Sequence, residues 1–184
     1  SHIYTFERLY QDVIYPINKE SDNLSAEMTL YALSEKFHGR PATAENGIKL
    51  INDFLLLCGL NPSIYRLVDG SGVSHYNLVS AELLSAVLKT MYYEYPGLFT
   101  LLYDSLPNAG IDGSLRNRMR NSSAQNNVRA KTGTLSGIST LSGYVTAKNG
   151  NLLVFSILIQ NHVRNSSAVL QFQNEICIIL AEHE

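Results

Sequence analysis

From residue 23 onward, apolar side chains recur every three or four positions, in blocks separated by turn residues. Leu24, Met28, Tyr31 and Ala32 share one helical face, and His38-Gly39-Arg40-Pro41 ends that helix. A second helix starts near Thr43 and carries Ile48, Ile51, Phe54, Leu55 and Cys58. Gly59 closes it and Pro62 follows. A third, capped by Ser80, carries Leu83, Leu84, Val87, Leu88 and Met91 and stops before Pro96; 98–106 forms a short fourth. Ahead of these, 4–15 reads as a helix with Phe6, Leu9, Val13 and Ile14, ended near Pro16, and 17–20 as an irregular approach to Ser21. Residues 69–74 form a tight loop by composition, and 107–127 a longer polar loop, part of it mobile.

The period changes in the last third of the chain. Segments 128–135, 140–147 and 151–160 read as strands, with Lys148-Asn149-Gly150 as an Asn-Gly hairpin turn. The third strand is apolar on both faces, the pattern of a central buried strand. Residues 165–181 are an amphipathic helix with Val169, Phe172, Ile176, Ile179 and Leu180 on one side, expected to lie across the sheet. The fold class is α+β: a helical region, then an antiparallel sheet of three C-terminal strands covered by a C-terminal helix. The expected organisation is one domain, with 1–127 mainly helical and 128–184 the sheet and last helix. The sequence shows no internal repeat and no heptad run.

Composition narrows the function without naming it. The 184 residues are 45% hydrophobic, enough for a sizeable core, and only 16% charged, with net charge −2. No basic block stands out, so no nucleic-acid partner is expected. The most apolar stretch, 152–159, is interrupted by Ser156 and falls far short of the ~20 residues that cross a bilayer. No leader peptide is visible, but the chain also lacks a starting Met, so that absence does not place it in the cytoplasm. Cys58 and Cys177 fall in apolar helical patterns and read as buried thiols, with a disulfide as the alternative. The five histidines are scattered without ligand spacing, and no glycine-rich phosphate loop is present, so no metal or cofactor is expected.

Taken singly, the polar motifs have ordinary explanations. Ser21-Asp22-Asn23 stands where short polar side chains cap a helix. Lys131 suits an exposed strand position. Asp69-Gly70-Ser71-Gly72 suits a turn. Taken together they change meaning, because Ser-x-Asn followed by Lys-Thr-Gly belongs, with Ser-x-x-Lys, to the signature of penicillin-binding proteins and class A β-lactamases.

In this order the chain carries Ile17-Asn18-Lys19-Glu20-Ser21-Asp22-Asn23-Leu24-Ser25-Ala26-Glu27, Asp69-Gly70-Ser71-Gly72-Val73-Ser74, Gly110-Ile111-Asp112-Gly113-Ser114-Leu115, Ala130-Lys131-Thr132-Gly133-Thr134-Leu135 and Leu141-Ser142-Gly143-Tyr144. Across 15–160 it closely resembles the low-molecular-mass penicillin-binding proteins of the D-alanyl-D-alanine carboxypeptidase/endopeptidase group, which are serine peptidases. The resemblance implies a partial β-lactamase/transpeptidase-like fold and an extracytoplasmic or periplasmic protein, at most peripheral to the membrane. It implies peptidoglycan stem peptides and β-lactams as partners of the full-length enzyme. Two departures stand out. No serine is followed by lysine three positions on, so the family's Ser-x-x-Lys nucleophile is missing, and with it the first two strands of the family's five-stranded sheet. His75 stands where arginine is expected. The chain is therefore expected to be the C-terminal part of such an enzyme and inactive alone, and either to collapse the gap, moving the Ser21 loop against Lys131, or to bury the open face against another copy as a homo-oligomer.

The resemblance also assigns roles. Ser21 resembles the hydroxyl that relays a proton, and Asn23 the amide that holds the catalytic lysine and the substrate backbone; both groups donate and accept. Lys131 resembles the fixed positive charge beside Ser21, near the substrate carboxylate. Thr132 offers that carboxylate a hydroxyl. Gly133 lets β-structure approach without a Cβ, and the backbone N–H of Thr134 resembles half of an oxyanion hole, with substrate lying along the strand. Ser71 is expected at the substrate. The alternative is a non-catalytic peptidoglycan- or partner-binding module of the same fold, which a parent gene without an upstream Ser-x-x-Lys would favour.

Overall fold

The computed structural model describes residues 8–163 and 166–184. Six α-helices and three strands follow one another: α1 (Tyr10–Lys19), α2 (Asn23–His38), α3 (Ala44–Leu57), α4 (Ala81–Glu94), α5 (Pro96–Ser105), β1 (Arg129–Leu135), β2 (Ile138–Thr146), β3 (Leu152–Gln160) and α6 (Ser166–Ala181). Short 3-10 turns lie at Pro62–Ile64 and Gly113–Leu115. The sheet is antiparallel in the order β1-β2-β3, with Lys131 opposite Ser142 and Ser142 opposite Ser156.

Caps fix the helix starts as the sequence predicts. Thr43 Oγ1 accepts from Asn46 N and Ser80 Oγ from Leu83 N. Asp22, rather than Ser21 or Asn23, caps α2, accepting from Leu24 N at 3.1 Å. α1 differs from expectation. It runs through Pro16 to Lys19, so 17–20 is mostly helical; the part of the expected helix before residue 8 lies outside the described residues. A mid-helix proline forgoes its N–H bond to the preceding turn and crowds the carbonyl four residues back. Here the turn after it is held by other partners: Asn18 Nδ2 donates to Ser105 Oγ at 2.6 Å, and Lys19 reaches Leu106 O and Asp112.

Two layers sandwich the sheet. On one face of β2, Leu141 and Val145 join Phe155, Cys177, Ala181 and the segment carrying Ala109, Leu115, Met119, Ala124 and Val128 in the main core. That segment was expected as a surface loop. It instead feeds the core, because Ala109, Leu115, Met119 and Ala124 turn inward, although Ile111 stays exposed, and its backbone is satisfied by contacts such as Ala109 N to Val128 O and Ala130 N to Pro107 O. On the other face Tyr144 is fully buried, 5.3 Å from Phe99 and 5.7 Å from Tyr103, and its hydroxyl donates to Leu88 O.

Four further details differ from the sequence pattern. α6 lies on the sheet, but buries Val169, Gln173, Cys177 and Ala181; Phe172 and Ile179 face outward. The polar stripe is possible because Arg118 Nη2 donates to Gln173 Oε1 and Gln173 Nε2 donates to Ser139 Oγ. α2 buries Leu30 and Ser34 and leaves Leu24 and Met28 exposed. Among the described residues β3 is an edge strand, despite its two apolar faces. In the β2–β3 turn only Gly150 is left-handed (φ 87°), so a type I turn followed by glycine replaces the expected Asn-Gly form. Both cysteines are free thiols, Cys177 buried and Cys58 half-buried.

Candidate active site

The site forms where the α1–α2 junction meets β1. α1 closes with Glu20 N and Asp22 N both donating to Pro16 O, and this leaves Ser21 in the left-handed region at φ 58°. A side chain other than glycine's rarely takes that conformation without a reason. Here the reason is visible: Lys131 Nζ donates to Ser21 Oγ at 2.7 Å, across 110 residues of sequence. Lys131 Nζ also donates to Thr132 O at 2.7 Å and has no carboxylate partner among the described residues. Burial without a countercharge lowers its pKa below the ordinary lysine value.

The neighbouring strand positions extend the site. Thr132 Oγ1 donates to Ser114 Oγ at 2.8 Å. β1 borders the sheet, and among the described residues its outer edge is paired only at its start, where Asn108 bridges Arg129 and Ala130 N donates to Pro107 O. Backbone groups alternate sides along a strand. With Ala130 N–H pointing outward, the N–H groups of Thr132 and Thr134 point to that same open edge. An extended peptide could add there, with a half-buried ammonium and two hydroxyls beside it.

The structure does not bring all the expected residues together. Asn23 is exposed, and its amide forms no hydrogen bond among the described residues. Ser71 sits on the 69–74 loop, which is tied to α2: Glu27 Oε2 accepts from Gly70 N at 2.8 Å and from Ser71 N at 3.0 Å. No hydrogen bond joins Ser71 to Ser21, Lys131 or Thr132. At Gly133 the crowding comes from within the protein, since an added Cβ would run into Thr140 Oγ1 on β2. Sequence reasoning missed Glu27, Lys19, Asp112 and Ser114 as site builders, although each lies inside one of the quoted blocks. No three His, Cys, Asp or Glu side chains among the described residues gather as metal ligands would.

Chemically, a serine hydroxyl that accepts from an ammonium keeps its own proton free to pass to a third group. An unpaired ammonium in a poorly hydrated cleft favours an anion beside it. Helices on both faces of an antiparallel sheet, with a hydroxyl and a lysine meeting at an open strand edge, define the class of the penicillin-recognising serine enzymes. The chain belongs to the D-Ala-D-Ala carboxypeptidase 3 (S13) family, whose model matches residues 9–182.

The D-alanyl-D-alanine carboxypeptidase of Actinomadura sp. (strain R39) is 36% identical over 177 residues, 94% of this chain and 32% of the relative. Penicillin binding protein 4 (dacB) from Haemophilus influenzae, solved in complex with a β-lactam, superposes with TM-score 0.85 at 27% identity, over 94% of this chain and 41% of that one. The TLA-3 extended-spectrum β-lactamase shares the fold at TM-score 0.68 and 16% identity, over 94% of this chain and 63% of that one. The chain spans about a third of the length of the curated relatives it matches. No described helix is long and apolar enough to cross a membrane.

Proposed function

We propose that this chain supplies the Ser-x-Asn and Lys-Thr-Gly half of the catalytic domain of an extracytoplasmic serine DD-peptidase. The whole enzyme cleaves D-Ala-D-Ala peptide bonds in peptidoglycan, as a carboxypeptidase, an endopeptidase or both. The carrying observation is the contact between Lys131 Nζ and Ser21 Oγ at 2.7 Å, with no carboxylate to neutralise the lysine.

In this reading the stem peptide lies along the open edge of β1. Its terminal carboxylate is drawn to Lys131 and to the Thr132 hydroxyl, and the Thr134 N–H faces the scissile carbonyl oxygen. A serine outside this chain attacks the carbonyl carbon, the C–N bond breaks, and the D-Ala amine takes its proton through the Ser21 hydroxyl. Water then hydrolyses the acyl-enzyme. β-Lactams enter the same site and stay attached. Asn23, solvent-facing here, would complete the cleft only beside the nucleophile's lysine.

The test is acylation by a fluorescent penicillin. The parent protein, with a Ser-x-x-Lys upstream, becomes labelled, and the 184-residue chain by itself does not. A covalent β-lactam adduct on the chain alone, seen by intact mass, would refute the placement of the nucleophile outside it. A folded parent carrying Ser-x-x-Lys that takes no label would refute the peptidase reading.

A further inference from the structure

Lys19 is a charged side chain that the proposed chemistry does not use, yet only 15% of it is exposed. It ends α1, two positions before Ser21. Its Nζ donates to Leu106 O at 2.6 Å and to both oxygens of Asp112 at 2.8 Å. Asp112 stands two positions before Ser114, and its Oδ1 also accepts from Asn108 N at 2.8 Å. Between them Gly113 is left-handed (φ 56°), and an added Cβ there would lie 2.8 Å from Lys19 O and 3.1 Å from Pro107 Cβ. The two backbones are therefore pressed together as well as ion-paired.

The consequence lies two residues further along each segment. Ser21 meets Lys131 and Ser114 meets Thr132, and these are adjacent side chains of β1 that leave the strand in opposite directions. One ion pair thus joins the two segments that contact β1 through its successive residues. Anchoring α1 does not by itself require this pair, because Asn18 already ties α1 to Ser105.

We propose that Lys19 and Asp112 are positioning residues of the active site: their ion pair, anchored on the segment that carries Ser114, holds the Ser21 hydroxyl against Lys131. The inference rests on the DD-peptidase reading of the cleft. Lys19 acts through Ser21, so its influence on acylation disappears when the Ser21 hydroxyl is absent. Releasing the Ser21 loop also lets water reach Lys131, which raises the lysine's depressed pKa towards its ordinary value.

The experiment measures penicillin acylation of the parent protein, with melting temperature as the control for folding. Lys19→Met removes the cation. Asp112→Asn keeps an acceptor for Asn108 N–H, removes the charge, and serves if Lys19→Met fails to fold. Each is expected to slow acylation about tenfold or more, since misplacement by about 1 Å costs up to ~100-fold. Each should also move the alkaline limb of the rate profile upward. In a Ser21→Ala background the further loss should be under about threefold, the non-additivity of residues acting as a unit. Wild-type rates in the folded variants, or equal losses in both backgrounds, overturn the positioning role. If Ser21→Ala alone acylates at the wild-type rate, the peptidase reading is what has failed. If Ser21→Ala is slow and Asp112→Asn is not, only the positioning role has failed.

Discussion

Two substitutions at Ser21 separate chemistry from conformation. Ser21 has φ 58°, and its hydroxyl is the acceptor for Lys131 Nζ. Ser21→Ala removes the hydroxyl and keeps a Cβ in the left-handed region, where non-glycine residues bear about 1–2 kcal/mol of strain. Ser21→Gly removes the same hydroxyl and that strain. Glycine also loosens the unfolded chain, which offsets about 0.4–1 kcal/mol of the relief. The glycine variant should therefore be the more stable of the two by up to about 1.6 kcal/mol, or at most ~3–6 °C in melting temperature for a chain of this size. Their effect on acylation should be the same. A hydrogen bond to a charged group is worth about 1.5–3 kcal/mol, which at about 1.4 kcal/mol per decade is a loss of about tenfold to a hundredfold. The assay is the second-order rate of penicillin acylation of the parent protein, beside thermal melts of the same preparations. Rates for the two variants that differ by tenfold, or a glycine variant within about twofold of wild type, would show that the loop's shape, and not the hydroxyl, carries the effect.

Three further outcomes are expected. Arg118→Met strands the buried Gln173 Oε1 and removes bonds to Asn174 Oδ1 and Leu170 O, so it should cost about 2–4 kcal/mol in urea unfolding; a loss under about 1 kcal/mol contradicts the network. Burial pushes the Cys177 thiol up to about 12, while an unfolded thiol ionises near ~8.5, so between those values the unfolded state holds fewer protons. Stability should then fall by about 1.4 kcal/mol per pH unit in that window, and Cys177→Ala should flatten the slope; identical slopes refute it. With β3 at the sheet edge and Leu24 and Met28 exposed, the isolated chain should self-associate, and a strictly monomeric species by size exclusion with light scattering contradicts that.

The sequence shows where elements lie better than it shows what covers them. Periodicity located α2 to α5 and the three strands because caps and turn residues mark their ends locally. It could not tell that Leu24 and Met28 stay exposed while Leu30 and Ser34 are buried, because two apolar faces of one helix look alike until the neighbours are known. Gln173 and Ser139 were unreadable as interior residues for the same reason: only Arg118, distant in sequence, makes their burial tolerable. Pro16 misled because its penalty is local while the contacts of Asn18 and Lys19 are not. In the site, the Ser21–Lys131 pairing was legible through a motif. The Lys19–Asp112 pair, across 93 residues, carried no comparable mark. β3 read as central and lies at the edge of the three-stranded sheet among the described residues, the two further strands that the resemblance implies lying outside this chain.

The contacts that shape the cleft span very different lengths of chain: 110 residues for Lys131 with Ser21, 93 for Lys19 with Asp112, and 18 for Thr132 with Ser114. Helices and the β2–β3 hairpin can close within microseconds, but pairings this distant wait for the slow, non-local steps of folding. On the ribosome the delay is longer still. At ~5–20 residues per second, the lysine emerges about 5–20 seconds after the serine it must meet. Through that interval Ser21 has no partner for its left-handed turn, and α1 and α2 wait for β1 to β3. Penicillin binding in the parent would therefore report a late step of this domain's folding, because the cleft cannot close before β1 has emerged.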